Sequence, residues 1–317
     1  MERFLITGVN GFVGQHFLKY LESFGNKVKA LGVDCVSSGY KPVNYSYQFE
    51  LADFINTPLK ASVVSAFRPD YVVHLAAKSS VSECQKNPNE SIAFNVKIQL
   101  NLFQTLSDCR CSNCRVLLVS SSEVYAPPSK PLVETGKCNP ANAYGIAKLI
   151  GEFIIRFDNF FYGNDFMVTD TVIARSFMHI GPEQSERFAI ASFVKQLVHA
   201  KQENKSIAKL KTGNVDIARD ITDVRDVIRA YHLLLKHGRN KEVYNVCSGA
   251  AIKLSEVINM ASEIIGIPVE IVIDKQRVRS DDPKIIVGDN KKLRETTGWK
   301  PEIKLSQTLK DMIDCYS

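Results

Sequence analysis

Short apolar runs alternate with longer amphipathic stretches through the first half of the chain. The runs are rich in strand-forming side chains, as is typical of buried strands. They lie at residues 4–7, 28–32, 71–75, 116–120 and 168–174. The stretches between them are long enough for crossover helices, so the pattern predicts an α/β protein with a parallel sheet and helices on both faces.

The spacing of the predicted elements changes near Arg175. The connections lengthen, and Gly181-Pro182 and Gly213-Asn214 are turn signals. The later elements are a helix at 223–236, a strand at 242–246 and helices at 255–265 and 306–315. They predict a smaller mixed part that covers the carboxyl edge of the sheet, where ligands of open α/β sheets bind. The predicted division is a dinucleotide-binding domain of 1–174, to which 219–249 returns, and a substrate-binding cap of 175–218 and 250–317.

Composition places the chain among ordinary globular proteins. Its 317 residues are 45% hydrophobic and 23% charged, with 40 Lys and Arg against 34 Asp and Glu, a net charge of +6. The basic residues are spread along the chain, so small anionic ligands are favoured over nucleic acid. No apolar run is long enough to cross a bilayer, and the first residues predict a strand instead of a signal peptide, so we expect a cytoplasmic protein.

Cys109, Cys111 and Cys114 are the one dense group among eight cysteines. A disulfide framework suits short secreted chains, which this chain is not. A zinc site would need a fourth ligand, for which Cys138 is the candidate, and the second close pair of a structural zinc motif is missing. We therefore expect no metal and interpret the group as free thiols in a loop between a helix and a strand.

A glycine-rich turn separates the first predicted strand from the first helix. It runs Gly8-Val-Asn-Gly11-Phe12-Val13-Gly14. Glycine suits a tight turn that approaches a pyrophosphate closely, and the N-terminus of the next helix offers amides and positive potential. An ordinary glycine-rich turn is the alternative, but the place between strand and helix favours dinucleotide binding.

The end of the second strand should decide between the two nicotinamide cofactors. Gly32 stands where an acidic residue would bind the ribose hydroxyls, and Asp34 follows two positions later. Residues 32–40 contain no Arg or Lys that could bind a 2′-phosphate. We therefore predict NAD(H) over NADP(H). The alternative for Asp34 is a solvated loop carboxylate.

Tyr144 and Lys148 are four residues apart in a predicted helix and therefore share one face. Such pairs arise easily by chance, but a strand that ends near Ser121 reaches the same edge of the sheet. A positive charge about 4 Å from a phenolate contributes on the order of 4 kcal/mol, which predicts a pKa for Tyr144 lowered from about 10 towards 7. The phenol would exchange a proton with a sugar hydroxyl or ketone, and Ser121 would hydrogen-bond the same oxygen.

Several motifs, spread nearly from end to end, occur together in this chain. They are Gly8-x-x-Gly11-x-x-Gly14, His74-Leu-Ala-Ala, Ser121, Tyr144-x-x-x-Lys148, Arg175-x-Phe-x-x-x-Gly181-Pro182 and Arg219-Asp220. Together they resemble the extended short-chain dehydrogenase/reductase family of nucleotide-sugar enzymes, most of all GDP-4-keto-6-deoxymannose reductases and GDP-mannose 4,6-dehydratases. The resemblance implies a Rossmann-type doubly wound sheet, a nicotinamide cofactor and hydride transfer at C4 of a sugar.

The resemblance also implies roles for individual residues. The catalytic group would be Ser121, Glu123, Tyr144 and Lys148. The cofactor would contact Gly8, Gly11, Phe12, Val13, Gly14, Asp34, Asp53, Phe54, Leu75, Ala76, Ala77, Lys78, Tyr144 and Lys148. The substrate would contact Ser121, Met178, His179, Arg187, Arg219 and Arg279. Arg219 and Arg279 would bind the diphosphate or nucleotide, because a guanidinium can meet phosphate oxygens in pairs; a surface ion pair is the alternative.

Two positions leave the sugar and the reaction open. Met178 stands where the family usually has asparagine, which removes a polar contact to the substrate. Glu123 stands where 4,6-dehydratases have the base that removes the C5 proton. A hydrogen bond to the sugar and a structural carboxylate are the alternative roles for Glu123.

The leading hypothesis is therefore an NAD(P)-dependent oxidoreductase acting at C4 of a GDP-linked manno-type or 6-deoxy/4-keto sugar, in the synthesis of surface-glycan precursors. A 4,6-dehydratase or a 4-epimerase with tightly bound, recycled NAD is the alternative. A non-catalytic dinucleotide-binding module is disfavoured because the Ser-Tyr-Lys set is intact. Apolar helices near 91–106 and 143–161 suggest a second partner surface, and the resemblance implies a homodimer through them, with plain core packing as the alternative.

Overall fold

The computed structural model describes residues 1–56, 59–111, 113–126, 131–157, 170–278 and 282–317. The strands are β1 (Glu2–Thr7), β2 (Val28–Asp34), β3 (Ser46–Leu51), β4 (Tyr71–His74), β5 (Arg115–Ser121), β6 (Thr171–Ser176), β7 (Met178–Ile180), β8 (Ala208–Thr212), β9 (Ala218–Asp223), β10 (Val243–Val246), β11 (Ala251–Lys253), β12 (Val269–Ile273) and β13 (Ile285–Ile286). The helices are α1 (Phe12–Leu21), α2 (Ala61–Phe67), α3 (Val81–Lys86), α4 (Pro88–Asp108), α5 (Ala143–Arg156), α6 (Ala189–Gln202), α7 (Val224–His237), α8 (Leu254–Ile265), α9 (Lys291–Thr297) and α10 (Leu305–Tyr316).

A seven-stranded parallel sheet is the larger layer, in the order β10-β6-β5-β4-β1-β2-β3. β1 illustrates why helices cover both faces. Phe4 and Ile6 pack with α1 and α7 on one face, whereas Leu5 packs with α4 on the other, and all three side chains are fully buried. Side chains alternate along a strand, so an apolar run needs cover on both sides. The predicted Rossmann-type fold is confirmed.

The predicted strands of the first half correspond to β1, β2, β4, β5 and β6. Positions 168–169 of the last one, and positions 158–161 of the predicted helix at 143–161, lie outside the described residues. The sequence analysis misses α6, which it treats as part of a long connection. The signal was present, because Ile190, Phe193, Val194 and Leu197 recur at helical spacing and are buried.

β9 is the centre of the smaller part. β7, β11 and β13 pair with it, and β8 pairs with β12 in a separate two-stranded ribbon. α6, α8 and α10 contribute to a hydrophobic core of their own. The domain boundaries stay a prediction, and two details bear on them. β9 lies in the smaller sheet although it falls mostly within the returning segment 219–249, and Trp299 is buried in the core of the larger layer.

The carboxyl edge of the large sheet faces the smaller part, and a cavity of about 760 Å³ lies there. Its walls come from the ends of β1, β2, β4, β5 and β6 and from the segments 176–190 and 219–220. The neighbours of β1 lead away in opposite directions along the sheet, and such a reversal is where open α/β sheets bind ligands. None of the described helices is long and apolar enough to span a membrane.

Candidate active site

The turn after β1 forms one wall of the cavity. Gly8 has a φ of +68°, and a Cβ there would lie 2.6 Å from the backbone nitrogen of Ala76, so glycine is required. The amide of Gly11 donates to the carbonyl of Gly8 (3.0 Å), and α1 starts at Phe12 after a residue that has no side chain to cap it. Gly11, Phe12, Val13 and Gly14 all line the cavity. Their amides are suited to bind an anion such as a pyrophosphate.

Asp34, Asp53 and Phe54 line the cavity beside this turn. The carboxylate of Asp34 accepts hydrogen bonds from the amides of Asn10 (2.9 Å) and Cys35 (2.8 Å). It therefore ties the glycine-rich turn to the end of β2, which a solvated loop carboxylate would not do. Two carboxylates make this end of the cavity negative.

The segment after β4 lines the cavity with Leu75, Ala76, Ala77 and Lys78. The amide of Ala76 donates to Thr7 Oγ1 (3.3 Å), and the backbone of Lys78 exchanges two hydrogen bonds with the side chain of Asn95 (2.8 and 3.2 Å). The Lys78 ammonium itself pairs with Glu90 at 2.5 Å. Thr7 and Asn95 are not predicted from the sequence. Asn95 gives no signal because it is one of many polar residues of α4.

The structure brings Ser121, Tyr144 and Lys148 together in the cavity wall. Ser121 is the last residue of β5, Tyr144 lies in the first turn of α5, and Lys148 follows one turn later. Ser121 Oγ also accepts a hydrogen bond from the amide of Glu123 (3.2 Å). The hydroxyl, phenol and ammonium are therefore held by the end of one strand and the start of one helix.

Asn142 connects Glu123 to the start of α5. Its Oδ1 accepts from the amide of Gly145 (2.9 Å), which caps the helix, and its Nδ2 donates to Glu123 Oε2 (2.6 Å). Gly145 is needed because a Cβ there would clash with the carbonyl of Glu123. Glu123 lines the cavity, and Asn142 holds its carboxylate beside the start of α5. The sequence analysis misses Asn142, although asparagine before a predicted helix is an N-cap signal.

Burial lowers the pKa of Lys148 to about 8. Its ammonium donates to the carbonyl of Val119 (2.7 Å) and lies 5.6 Å from the centre of the Tyr144 ring. The charge is thus held by a backbone oxygen within the wall, beside the phenol.

The predicted lowering of the pKa of Tyr144 is wrong for this geometry. Burial raises the pKa of the phenol, and the negative charge of Glu123 raises it further, whereas a hydrogen bond with Ser121 acts in the opposite direction. The physical reason is that loss of hydration of the phenolate outweighs an ammonium that is already bound to a carbonyl. Tyr144 is therefore a neutral phenol at physiological pH, ready to donate a proton.

The proposed substrate side is lined by Met178, His179, Arg187 and Arg219, whereas Arg279 lies outside the described residues. Burial lowers the pKa of His179, whose ring stacks parallel to that of Phe12 at 6.3 Å, so it is a neutral donor or acceptor. The Arg219 guanidinium pairs with Asp282 and donates to the carbonyl of Pro283 (2.9 Å). Arg219 is therefore in an ion pair, but a buried one, and not in the surface ion pair that the sequence left open as the alternative.

The side chain of Gln184 lines the cavity and was missed by the sequence analysis. Its Nε2 donates to the carbonyl of His179 (3.0 Å), which fixes the amide. Its Oε1 is buried and has no hydrogen-bond partner among the described residues. An unpaired buried acceptor is costly unless a bound group donates to it. Nothing in the sequence around Gln184 indicates this.

The arrangement is that of an enzyme site: an anion-binding turn, a proton-donating phenol, an ammonium and two arginines share one cavity. A family model described as GDP-mannose 4,6 dehydratase matches residues 5–312 of the chain. The chain is 33% identical over 318 residues to GDP-6-deoxy-D-mannose reductase of Pseudomonas aeruginosa, an alignment covering 98% of this chain and 96% of the relative. It is 28% identical over 309 residues to UDP-glucose 4-epimerase of Lactobacillus helveticus, covering 94% and 92% of the two chains.

The fold is similar to the solved structure of RMD from Pseudomonas aeruginosa complexed with NADPH. The TM-score is 0.83 at 30% sequence identity, and the match covers 100% of this chain and 99% of that chain. The likeness therefore includes both the large sheet and the smaller part.

Proposed function

Because the chain belongs to the GDP-mannose 4,6 dehydratase family, we propose that the cavity at the carboxyl edge of the sheet binds a nucleotide sugar beside a nicotinamide dinucleotide. The protein is an NAD(P)-dependent enzyme that transfers a hydride to or from C4 of a nucleotide-activated sugar. The observation that carries this function is the shared cavity. Tyr144 and Lys148 line it together with the glycine-rich turn.

The residues of this turn fit a dinucleotide. The N-terminus of the helix that follows has no side-chain cap and suits a pyrophosphate, and the backbone at Gly8 has no space for a side chain. A bound nicotinamide dinucleotide supplies or accepts the hydride. In the reducing direction Tyr144, which is protonated at physiological pH, donates its proton to the C4 oxygen. Lys148 stabilises the phenolate that remains, and the Ser121 hydroxyl hydrogen-bonds the same C4 oxygen.

We propose that the enzyme is a reductase or dehydrogenase of a GDP-linked 6-deoxy or 4-keto sugar of the manno type. The relative with 33% identity is named GDP-6-deoxy-D-mannose reductase. Arg187 is the residue we assign to the diphosphate, because its guanidinium is half exposed in the cavity wall and its ion pair with Glu83 is long, at 3.6 Å. His179 and Met178 then face the sugar.

We propose NAD(H) as the preferred cofactor. Asp34 and Asp53 make the adenosine end of the cavity negative, which repels a 2′-phosphate. Two backbone amides donate hydrogen bonds to the Asp34 carboxylate, so its negative charge stays at this end of the cavity. RMD from Pseudomonas aeruginosa was solved in complex with NADPH, so the choice of cofactor is a point on which this chain would differ from it.

A 4,6-dehydratase is the second candidate, and the position of Glu123 favours it. Glu123 lines the cavity, and its Oε2 accepts a hydrogen bond from Asn142 Nδ2 (2.6 Å). It could then remove the C5 proton after C4 is oxidised. Loss of turnover in Glu123→Gln would support the dehydratase. Near-normal turnover would exclude Glu123 as an essential base and leave the reductase.

We propose a homodimer through α4 and α5. α5 exposes Ile146 and Phe153, and its C-cap residue Phe157 is also exposed, with exposed fractions of 37%, 46% and 58%; the two phenylalanine rings stack at 6.3 Å. Burying such a surface against a second copy would be favourable. Phe153→Glu should dissociate the dimer in light-scattering measurements of mass. Ile285→Glu, at an equally exposed position on β13, should leave the dimer intact.

Product analysis with a panel of GDP-, UDP-, CDP- and dTDP-linked sugars tests the proposed function. We expect turnover with a GDP-linked 4-keto-6-deoxy sugar and oxidation of one reduced nicotinamide per product. Mass spectrometry of small molecules released from the purified protein complements it: one NAD per chain would favour a recycled cofactor and hence the dehydratase or an epimerase. Failure of every GDP-linked sugar would reject the GDP assignment.

A further inference from the structure

Three cysteines meet at the amino edge of the large sheet, where α4 ends and β5 begins. Cys109 is the C-cap residue of α4, and Cys114 immediately precedes Arg115, the first residue of β5. Cys109, Cys111 and Cys114 are all free thiols. They lie in the helix-to-strand loop that the sequence predicts. Their side chains are closer together than nearby positions in a loop would require.

The backbone of the loop holds two of the sulfurs together. Cys111 donates its amide to the carbonyl of Leu106 (3.1 Å), and Arg110 donates to Ser107 (2.8 Å). This pair of bonds closes a Schellman motif, with Arg110 at the left-handed position that glycine usually occupies, at a φ of +51°. The side chains on either side of Arg110 then converge. Cys109 Sγ and Cys111 Sγ are 2.9 Å apart, against about 2.05 Å in a disulfide bond.

The third cysteine supports the reactive form of Cys111. The Cys114 thiol, almost fully buried, donates to the carbonyl of Cys111 (3.3 Å). Hydrogen bonding from the neighbouring thiols, Cys114 first and then Cys109, lowers the pKa of Cys111, and burial opposes this; for Cys114 this bond competes with its bond to the carbonyl. The thiolate is the nucleophile in thiol oxidation. Among the described residues, no group of His, Cys, Asp and Glu side chains has the geometry of a metal site.

We propose that Cys109 and Cys111 are a redox-active pair that a hydroperoxide oxidises to an intramolecular disulfide. The Cys111 thiolate attacks one peroxide oxygen, the O–O bond breaks, and the alkoxide or hydroxide that leaves takes up a proton. Cys111 is then a sulfenic acid. The Cys109 sulfur attacks the Cys111 sulfur, the S–S bond forms, and hydroxide leaves with the proton of the Cys109 thiol as water. Two thiols lose two electrons, and the peroxide gains them.

The pair is remote from the proposed catalytic site. β5 separates them, with Arg115 at one end and Ser121 in the cavity wall at the other. Oxidation of the loop and activity at the cavity are therefore independent, and failure of the proposed function would leave this inference standing.

The experiment treats full-length protein with hydrogen peroxide in a Cys35→Ser/Cys315→Ser background, which removes the two exposed thiols that could link separate chains. Remaining free thiols are then alkylated, and the protein is digested with trypsin. Cleavage after Arg110 places Cys109 in the peptide 98–110 and Cys111 in the peptide 111–115. We expect these two peptides to be joined by a disulfide that a reductant breaks. Their free thiols should disappear roughly tenfold faster than those of the buried Cys84 and Cys247.

Single variants assign the pair. Cys114→Ser leaves only Cys109 and Cys111 in this loop, and the linked peptides should persist. Cys109→Ser and Cys111→Ser should each abolish the link. The inference is overturned if the link survives in Cys111→Ser, if the peptide 111–115 instead loses two hydrogen atoms, or if all three thiols remain free after Cys84 and Cys247 have reacted.

Discussion

Glu152 and Arg175 form an ion pair with two hydrogen bonds inside the protein, at 2.9 and 2.6 Å, and each side chain is only 1% exposed. The pair joins α5 to β6. Ser120, next to Ser121 in β5, also donates to Glu152 Oε1 at 2.6 Å. Glu152 follows Lys148 by one helical turn, so this contact fixes the rotation of α5 and with it the direction in which Lys148 points.

Removing the charge of Glu152 should be strongly destabilising. Glu152→Gln keeps the shape of the side chain but leaves the Arg175 guanidinium buried without a counter-ion. We expect the free energy of unfolding to fall by about 3 kcal/mol, measured by urea denaturation. The double variant Glu152→Leu/Arg175→Met, which removes both charges, should lose less than the single one. An equal or greater loss in the double variant would mean that charge burial is not the dominant cause.

Tyr144→Phe should fold normally and lose most turnover. A positioned general acid contributes about 10² to 10⁴ in rate, so we expect kcat to fall by a factor in this range, with cofactor affinity little changed. Tyr125→Phe is the matched control. Tyr125 is a buried tyrosine whose hydroxyl donates to Asn245 (2.6 Å), and it is absent from the described cavity wall. It should cost about 1 kcal/mol of stability and leave turnover intact. Near-normal turnover of Tyr144→Phe would reject the mechanism.

The sequence predicted the fold and the centre of the site because these depend on local patterns. Alternating apolar runs indicated the parallel sheet, and parallel strands all end at one edge, which brought Ser121 and Tyr144 together. The tight turn predicted after the first strand likewise accounts for glycine at position 8, where the backbone φ is positive.

Contacts between distant residues could not be predicted in this way. Arg219 pairs with Asp282 and Arg175 with Glu152, yet a charged residue gives no local signal of a buried partner. The raised pKa of Tyr144 was missed for a related reason. Sequence spacing gives the distance to Lys148, but it gives neither the depth of burial nor the carbonyl that holds the ammonium.

The buried ammonium of Lys148 should lower the free energy of unfolding, although turnover depends on it. Burial lowers its pKa to about 8 in the folded protein, against about 10.4 in an unfolded chain. The unfolded chain therefore binds more protons between these values, and the cost of Lys148, about 3 kcal/mol, is full below pH 8 and vanishes as the pH rises above 10.4. Lys148→Met should stabilise the protein at pH 7 by about 2 kcal/mol, after loss of the Val119 hydrogen bond, and abolish turnover.

The measurement for Lys148→Met is urea denaturation at pH 7 and pH 10. The gain over the natural protein should shrink at the higher pH. Lys209→Met, which removes an exposed ammonium on β8, should change neither stability nor its pH dependence. A gain in stability that stays constant with pH would contradict burial of the charge as the cause.

Neutralising Asp34 should change the choice of cofactor. Asp34→Asn keeps an oxygen that accepts from the Asn10 amide but removes the charge that repels a 2′-phosphate. We expect the affinity for NADPH relative to NADH to rise roughly tenfold, measured by fluorescence titration of both cofactors. Asp314→Asn, at an exposed position on α10, is the control and should leave the ratio unchanged. An unchanged ratio in Asp34→Asn would remove the basis for preferring NAD(H).

The buried side-chain oxygen Oε1 of Gln184 predicts a hydrogen bond to the bound substrate. Gln184 lines the cavity, its Nε2 donates to the carbonyl of His179, and its buried Oε1 has no partner among the described residues; a sugar hydroxyl is the donor that the proposed substrate offers. Gln184→Leu should therefore raise KM roughly tenfold with little change in kcat, since the contact is made equally in the ground and transition states. Steady-state kinetics with the best substrate of the panel measure this split.

Thr222→Val is the matched control for Gln184→Leu. Thr222 Oγ1 is also buried without a partner among the described residues, but Thr222 is not among those that line the cavity. Removing an unpaired buried hydroxyl there should leave KM unchanged and stability equal or higher, because a desolvated acceptor is lost and no bond is broken. A similar rise in KM in both variants would indicate a general disturbance of β9 and the segment 178–184, and Gln184 would then have no direct contact with the substrate.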